Sequence, residues 1–188
     1  MKFNRRIAAA GVAAAAVISL SAAPASASTW GHSDQWPGVT TVLLNPDVVP
    51  VLVGLGVSPV APGTLTAPGG VVQVAFPIIG VVHDGRIAHR GGLDFNKVNG
   101  SHDVKITNFV VDTEKNVLTA RAEVDGVKVG RIAVFALEAP QPINGMVPAC
   151  AGVPAGLTLT SGAAAALGIP WAAGVFMGDA CVVPGSDD

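Results

Sequence analysis

The sequence predicts a mainly β domain, an antiparallel β-sandwich or flattened barrel with two short helices. Three observations carry that prediction. Glycine (23 residues) and proline (14) are abundant and charged residues are only 13% of the chain, a composition that suits short strands joined by tight turns. Apolar and polar residues alternate with period two through much of 71–138, as half-buried strands do. Finally, Asp125-Gly126 separates two alternating runs, "NVLTARAEV" and "VKVGRIAVFAL", which is the pattern of a type I′ hairpin.

The first 27 residues read as a secretory signal peptide, not as part of the fold. Lys2, Arg5 and Arg6 form a positive start. "IAAAGVAAAAVISL" is an apolar run of 14 residues, and Ala25-Ser26-Ala27 is a small-x-small cleavage site. The run is shorter than a bilayer span requires, so no membrane anchor is expected after cleavage. The expected mature chain has 161 residues, enough for one domain with a proper core. Residues 28–40, "STWGHSDQWPGVT", read as an N-terminal arm, which Trp30 and Trp36 pin to the domain.

The domain proper is expected over 41–183. Asn45 as N-cap, Pro46 at the first helical position and Asp47 in the first turn predict a short apolar helix. Gly54 and Gly56 supply its stop. "VVQVAF" (71–76) predicts a strand ended by Pro77. "GRIAH" (85–89) and "GLDFNKV" (92–98) flank Gly91-Gly92, which reads as a turn joining two strands. In "HDVKITNFVVD" (102–112), Val104 and Ile106 alternate with Asp103, Lys105 and Thr107. Gly130 is expected to mark a bulge. Residues 139–156 read as a Pro/Gly loop and "LTLT" (157–160) as a short strand. Ser161 is the expected cap of a helix over "GAAAALG", stopped by Gly168. "FMGDACVV" (176–183) is the last strand, followed by a polar tail, 184–188.

Charge and motifs exclude several functions. The mature part carries eight basic and thirteen acidic side chains, a net of −5. It offers no basic patch to neutralise phosphates, so nucleic acid is not expected as a partner. No Gly-x-Ser-x-Gly elbow is present, and no Gly-x-Gly-x-x-Gly segment joins a strand to a helix. His83-Asp84 and His102-Asp103 are strand neighbours facing opposite ways. Asp84, Asp112 and Asp125 fall at turns, where turn chemistry accounts for them. His83, His89 and His102 are six and thirteen residues apart, unlike any zinc signature. "NGSH" (99–102) is formally a glycosylation acceptor but reads as a turn. No enzyme and no metal site is expected.

Two features remain. Cys150 and Cys181 are the only cysteines. An even count in an exported chain predicts a disulfide, worth on the order of 3 kcal/mol for a loop of roughly thirty residues. His89 sits beside Gly91-Gly92, where an imidazole could meet a flat ligand, and it is the one ligand candidate.

The segments "GRIAHRGGLDF", "VKITNFVVDTEKNVLTARAEVDGVKVGRIAVFAL" and "LTLTSGAAAALG" resemble a group of uncharacterised secreted actinobacterial proteins. The likeness runs from about residue 43 to 183. More distantly, the His-x-Gly-Gly-Leu segment is similar to the haem-uptake domain HtaA, a secreted β-rich module. That resemblance implies a haem-binding role for the matching histidine, His89. The HtaA family also uses a tyrosine as haem ligand, and this chain contains none. The resulting expectation is a secreted, non-enzymatic β domain without a cofactor, possessing one disulfide. Its partner would be a protein, an envelope component or a small hydrophobic ligand. The alternative is a weak haem-binding, HtaA-like module.

Overall fold

The computed structural model describes residues 38–83, 85–98 and 102–185. The segment read as a signal peptide, Trp30, Trp36, Asp84, residues 99–101 of the sequon and the end of the polar tail lie outside them. The described residues fall in one compact unit, Gln35–Asp188.

The strands are β1 (Gly38–Leu44), β2 (Val57–Val60), β3 (Thr64–Thr66), β4 (Gln73–His83), β5 (Arg86–His89), β6 (Gly92–Val98), β7 (His102–Asp112), β8 (Val117–Val124), β9 (Val127–Glu138), β10 (Val153–Leu159) and β11 (Phe176–Pro184). The helices are α1 (Val49–Gly54) and α2 (Ser161–Ala166). Eight strands run β7-β5-β4-β1-β11-β10-β9-β8, and β8 pairs back to β7. The ring closes, so of the two predicted architectures the barrel is the one formed. All its pairings are antiparallel. Closure leaves the ring no free edge along its length. Beyond it, β6 extends the β5 side of β7, β2 pairs with β6, and β3 lies along β4.

The period-two reading sorts side chains correctly where the strands are long. Leu118, Ala120 and Ala122 are buried, and Asp125-Gly126 makes the β8–β9 turn with φ of 51° and 79°. The register shifts between Ala122 and Glu123, opposite Gly130, as a bulge there requires. In β7 the buried set changes parity, from Val104 and Ile106 to Phe109 and Val111. Asn108, at φ 53°, absorbs the extra residue, and the register shifts between Thr107 and Val110.

Several sequence expectations need correction. Gly91-Gly92 is not a hairpin turn. Both β5 and β6 run antiparallel to β7 and pair with successive halves of it. The two glycines interrupt what is otherwise one edge, and the packing demands them. At Gly91 (φ 88°) a Cβ would stand 2.6 Å from the Gly63 backbone N. At Gly92 it would collide with the Ile106 carbonyl oxygen.

Helix α1 starts at Val49, with Pro50 in its first turn and no side-chain cap. Asn45 is used otherwise: its Oδ1 accepts from the Asp47 N–H and its Nδ2 donates to the Phe176 carbonyl. Pro77 does not end β4. Its carbonyl accepts from Arg90 N–H, so its ring nitrogen faces the same side, in the gap between β3 and β5, where no donor is required. Strand β10 begins at Val153, inside the predicted loop, and β1 begins at Gly38, inside the predicted arm. Thr160, not Ser161, caps α2, its hydroxyl accepting from Ala163 N–H at 3.2 Å. Thr160 is the better placed because its extended backbone precedes the first helical turn.

Cys150 and Cys181 form the expected disulfide, with Cα atoms 5.5 Å apart. It fastens the 139–152 segment to β11, which lies between β1 and β10. Under that segment Asp179 is buried, its Oδ1 accepting from Gln141 N–H. Burial pushes the Asp179 carboxyl up from its ordinary range, and the Gln141 N–H pulls the other way.

Candidate functional site: an apolar cavity inside the barrel

Alternate residues of each barrel strand point inward. Thr40, Val42 and Leu44 of β1, Val74 and Phe76 of β4, and Ile87 and His89 of β5 share that interior with Ala180 and Val182 of β11. They do not fill it. A cavity of about 440 Å³ remains. An eight-stranded ring is just wide enough either to be filled by side chains or to hold one small ligand. Ala155 and Ala180 stand at lining positions where a filled core would need larger groups.

The cavity has a closed end and an open one. Leu52 of α1 and Leu167 of α2 line it at the first, and both are buried. At the other, the lining residues Thr113, Asn116, Glu138, Ala139, Val153 and Pro154 are exposed. These mark the mouth, where β8 and β10 begin and β7 and β9 end.

His89 is inside. It is 2% exposed and Thr40 4%. His89 Nε2 and Thr40 Oγ1 share a hydrogen bond at 2.7 Å. His89 Nδ1 is buried without a hydrogen-bond partner. Burial pulls the imidazole below its ordinary pKa, against a weaker opposite pull from the Phe109 and Ile87 carbonyls. The ring is therefore neutral at neutral pH, in a wall of Val, Leu, Ile and Phe. The ring contact between Phe76 and Phe109, with centroids 4.8 Å apart, lies in the same wall.

The lowered pKa makes stability depend on pH. In the unfolded chain the imidazole protonates near its ordinary value of 6.5, while in the fold it resists until lower pH. The unfolded state then binds more protons, so His89 costs stability as pH falls through that value. Unfolding free energy is expected to drop between about pH 7 and pH 5. In His89→Gln the drop should be smaller, as urea denaturation at several pH values would show. An equal drop in the variant would assign it to other groups.

The other histidines do not join His89. His102 is exposed and pairs through Nδ1 with Asp125 Oδ2 at 2.7 Å. The same Asp125 accepts from Asp103 N–H at 2.9 Å, and these bonds hold its carboxyl below the usual range, the backbone bond foremost. His102 thus braces the β8–β9 turn. The His83 side chain lies outside the described residues. Among the described residues, no group of three or more His, Cys, Asp or Glu could hold a metal ion. Asp112 serves a turn, as the sequence suggests: it accepts from Lys115 N–H at 3.0 Å and pairs with Arg86 and Lys115. The Lys115 N–H is the main cause of its lowered pKa.

Sequence reasoning missed Thr40, which it placed in the arm. The signal was present: Thr40, Val42 and Leu44 share one parity, so a hydroxyl on that row had to face inward. The cavity itself had no sequence signature.

Haem is the group that the resemblance in sequence implied, and His89 and Met177 are the lining residues of a kind that ligates its iron. No lysine or arginine is among the lining residues to meet propionates. His89 Nε2 is already bonded to Thr40, and the nitrogen left is Nδ1, crowded by its own Cβ. The chain has no tyrosine.

No protein-family model matches this sequence, and no curated protein matches it. Solved structures do. The haem-binding protein HtaB of Corynebacterium glutamicum superposes with a TM-score of 0.52 at 12% identity, covering 77% of this chain and 90% of that one. The C-terminal domain of HtaA from the same organism gives 0.48 at 16% identity, over 77% and 93%. The chain therefore shares its fold with HtaB, at an identity that speaks for the fold alone.

Proposed function

We propose that this chain is an extracytoplasmic, non-enzymatic binding domain that holds one small, largely apolar molecule inside its barrel. The apolar cavity carries the reading. Its volume, about 440 Å³, falls within the roughly 300–1,000 Å³ of small-molecule sites. Its wall is aliphatic and aromatic, with few polar atoms, as such sites are. The disulfide supports an oxidising compartment, consistent with the signal peptide read from the sequence.

The test uses N-phenylnaphthylamine, an uncharged apolar dye that brightens out of water. It should bind saturably, and Ala180→Phe, which places a ring in the cavity, should abolish the signal while leaving the fold intact by circular dichroism. Undiminished binding by the variant would place the dye elsewhere and sink the reading.

Haem is the second reading, favoured by the fold shared with HtaB and by the imidazole in the barrel. It requires haemin to give a saturable Soret shift that His89→Ala abolishes. A shift that survives in the variant, or no shift, removes it.

A further inference from the structure

Within the binding reading just given, on which this step rests, the geometry points to the chemical class of the ligand. We infer that the cavity takes an uncharged apolar molecule bearing a single hydroxyl or keto group, and that this group hydrogen-bonds to His89 Nδ1 beside Thr40. Charged amphiphiles such as carboxylates are excluded from the same position.

Three observations lead there. First, His89 Nδ1 is a buried polar atom that makes no well-formed hydrogen bond, on a residue only 2% exposed, the Phe109 and Ile87 carbonyls exerting only a weak pull on the ring. Buried polar groups are nearly always satisfied, and an orphan of this kind asks what satisfies it. His89 lines the cavity, so a bound molecule can supply the missing partner.

Second, the lining offers nothing for a negative charge. It contains neither lysine nor arginine, and the imidazole is kept neutral by burial. A carboxylate pulled beside His89 would lose its water and gain no counter-ion, which is costly in such surroundings. The basic side chains near the mouth, Arg86 and Lys115, already pair with Asp112, and Glu138 at the mouth adds a negative charge.

Third, a neutral imidazole has one donor and one acceptor nitrogen. The Thr40 hydroxyl, itself donor and acceptor, can take either role with Nε2. Nδ1 is then free to accept from a hydroxyl or donate to a carbonyl. Two functional groups fit, and both are uncharged.

The experiment is displacement of N-phenylnaphthylamine from the purified protein at about pH 7 by dodecanol and by dodecanoate, which share a chain and differ in the charge of the head. Dodecanol should displace the dye at a concentration about tenfold lower or better, the scale set by one paired against one unpaired buried group. In His89→Leu the preference should shrink toward the intrinsic difference in water solubility, measured with the dye in detergent-free buffer. If that variant does not fold, Thr40→Val, which frees Nε2 and leaves Nδ1, should retain the preference for dodecanol. If the dye binds but dodecanoate displaces it as well as dodecanol, the inference fails and the cavity reading stands. A preference unchanged in His89→Leu also overturns it. If the dye does not bind at all, the cavity reading fails, and the ligand class fails with it.

Discussion

Replacing both Cys150 and Cys181 with alanine should lower the unfolding free energy by about 3–4 kcal/mol. The bond spans 31 residues of sequence, and cross-linking a loop of that length removes a corresponding entropy from the unfolded chain. The folded side has a local consequence too. The segment it fastens covers Asp179, a buried carboxyl that keeps one oxygen, Oδ2, without a partner and accepts from Gln141 N–H at the other. Loosening that segment lets water reach the carboxyl, which relieves its desolvation, so the segment should open locally more readily than the barrel unfolds. Urea denaturation would measure the global loss. Hydrogen exchange at Gln141 N–H, faster in the variant than in the barrel strands, would measure the local opening. A loss under about 1 kcal/mol would show that the unfolded chain is already compact there.

Gly92→Ala should cost about 3 kcal/mol, a large effect for one methyl group. The new Cβ would meet the Ile106 carbonyl oxygen, and Thr107 backbone and side-chain atoms lie within 3 Å as well. These are backbone atoms in the β6–β7 ladder, held by pairing on both sides of β7, so they cannot step aside as a flexible side chain would. Gly162→Ala is the contrast. Nothing lies within 4 Å of the added Cβ, the residue is in α2, and the chain gains helix propensity, so stability should hold or rise by about 0.5 kcal/mol. Similar losses at both positions would mean that the close approach at Gly92 relaxes freely.

Much of the barrel was legible because strand periodicity is local. The β8–β9 hairpin, its bulge and the alternation in β7 each follow from neighbours in sequence. Pairing is not local. Nothing in "GRIAHRGGLDF" says that β5 and β6 share one partner strand, since Val110 and Thr107, the residues that decide it, lie some fifteen residues onward in the chain. Helix starts were misplaced where a capping residue had a better use: Asn45 bonds to β11 at Phe176, a contact 131 residues away. The site was half legible. His89 stood out as a histidine without an evident role. Its partner Thr40 lies 49 residues earlier, and the two meet only when β1 and β5 flank β4.

The ring that encloses the cavity is shared with HtaB. Inside it, in this chain, the wall is aliphatic and aromatic, with a neutral imidazole and neither lysine nor arginine among the lining residues.

The most direct measurement is methyl NMR of the protein titrated with N-phenylnaphthylamine. The shifts should concentrate on interior methyls, Val42, Val74, Ile106, Val134 and Leu157, and saturate together as one site fills. Shifts confined instead to the exposed Val127, Val129 and Met146, with the interior unmoved, would contradict a ligand inside the barrel.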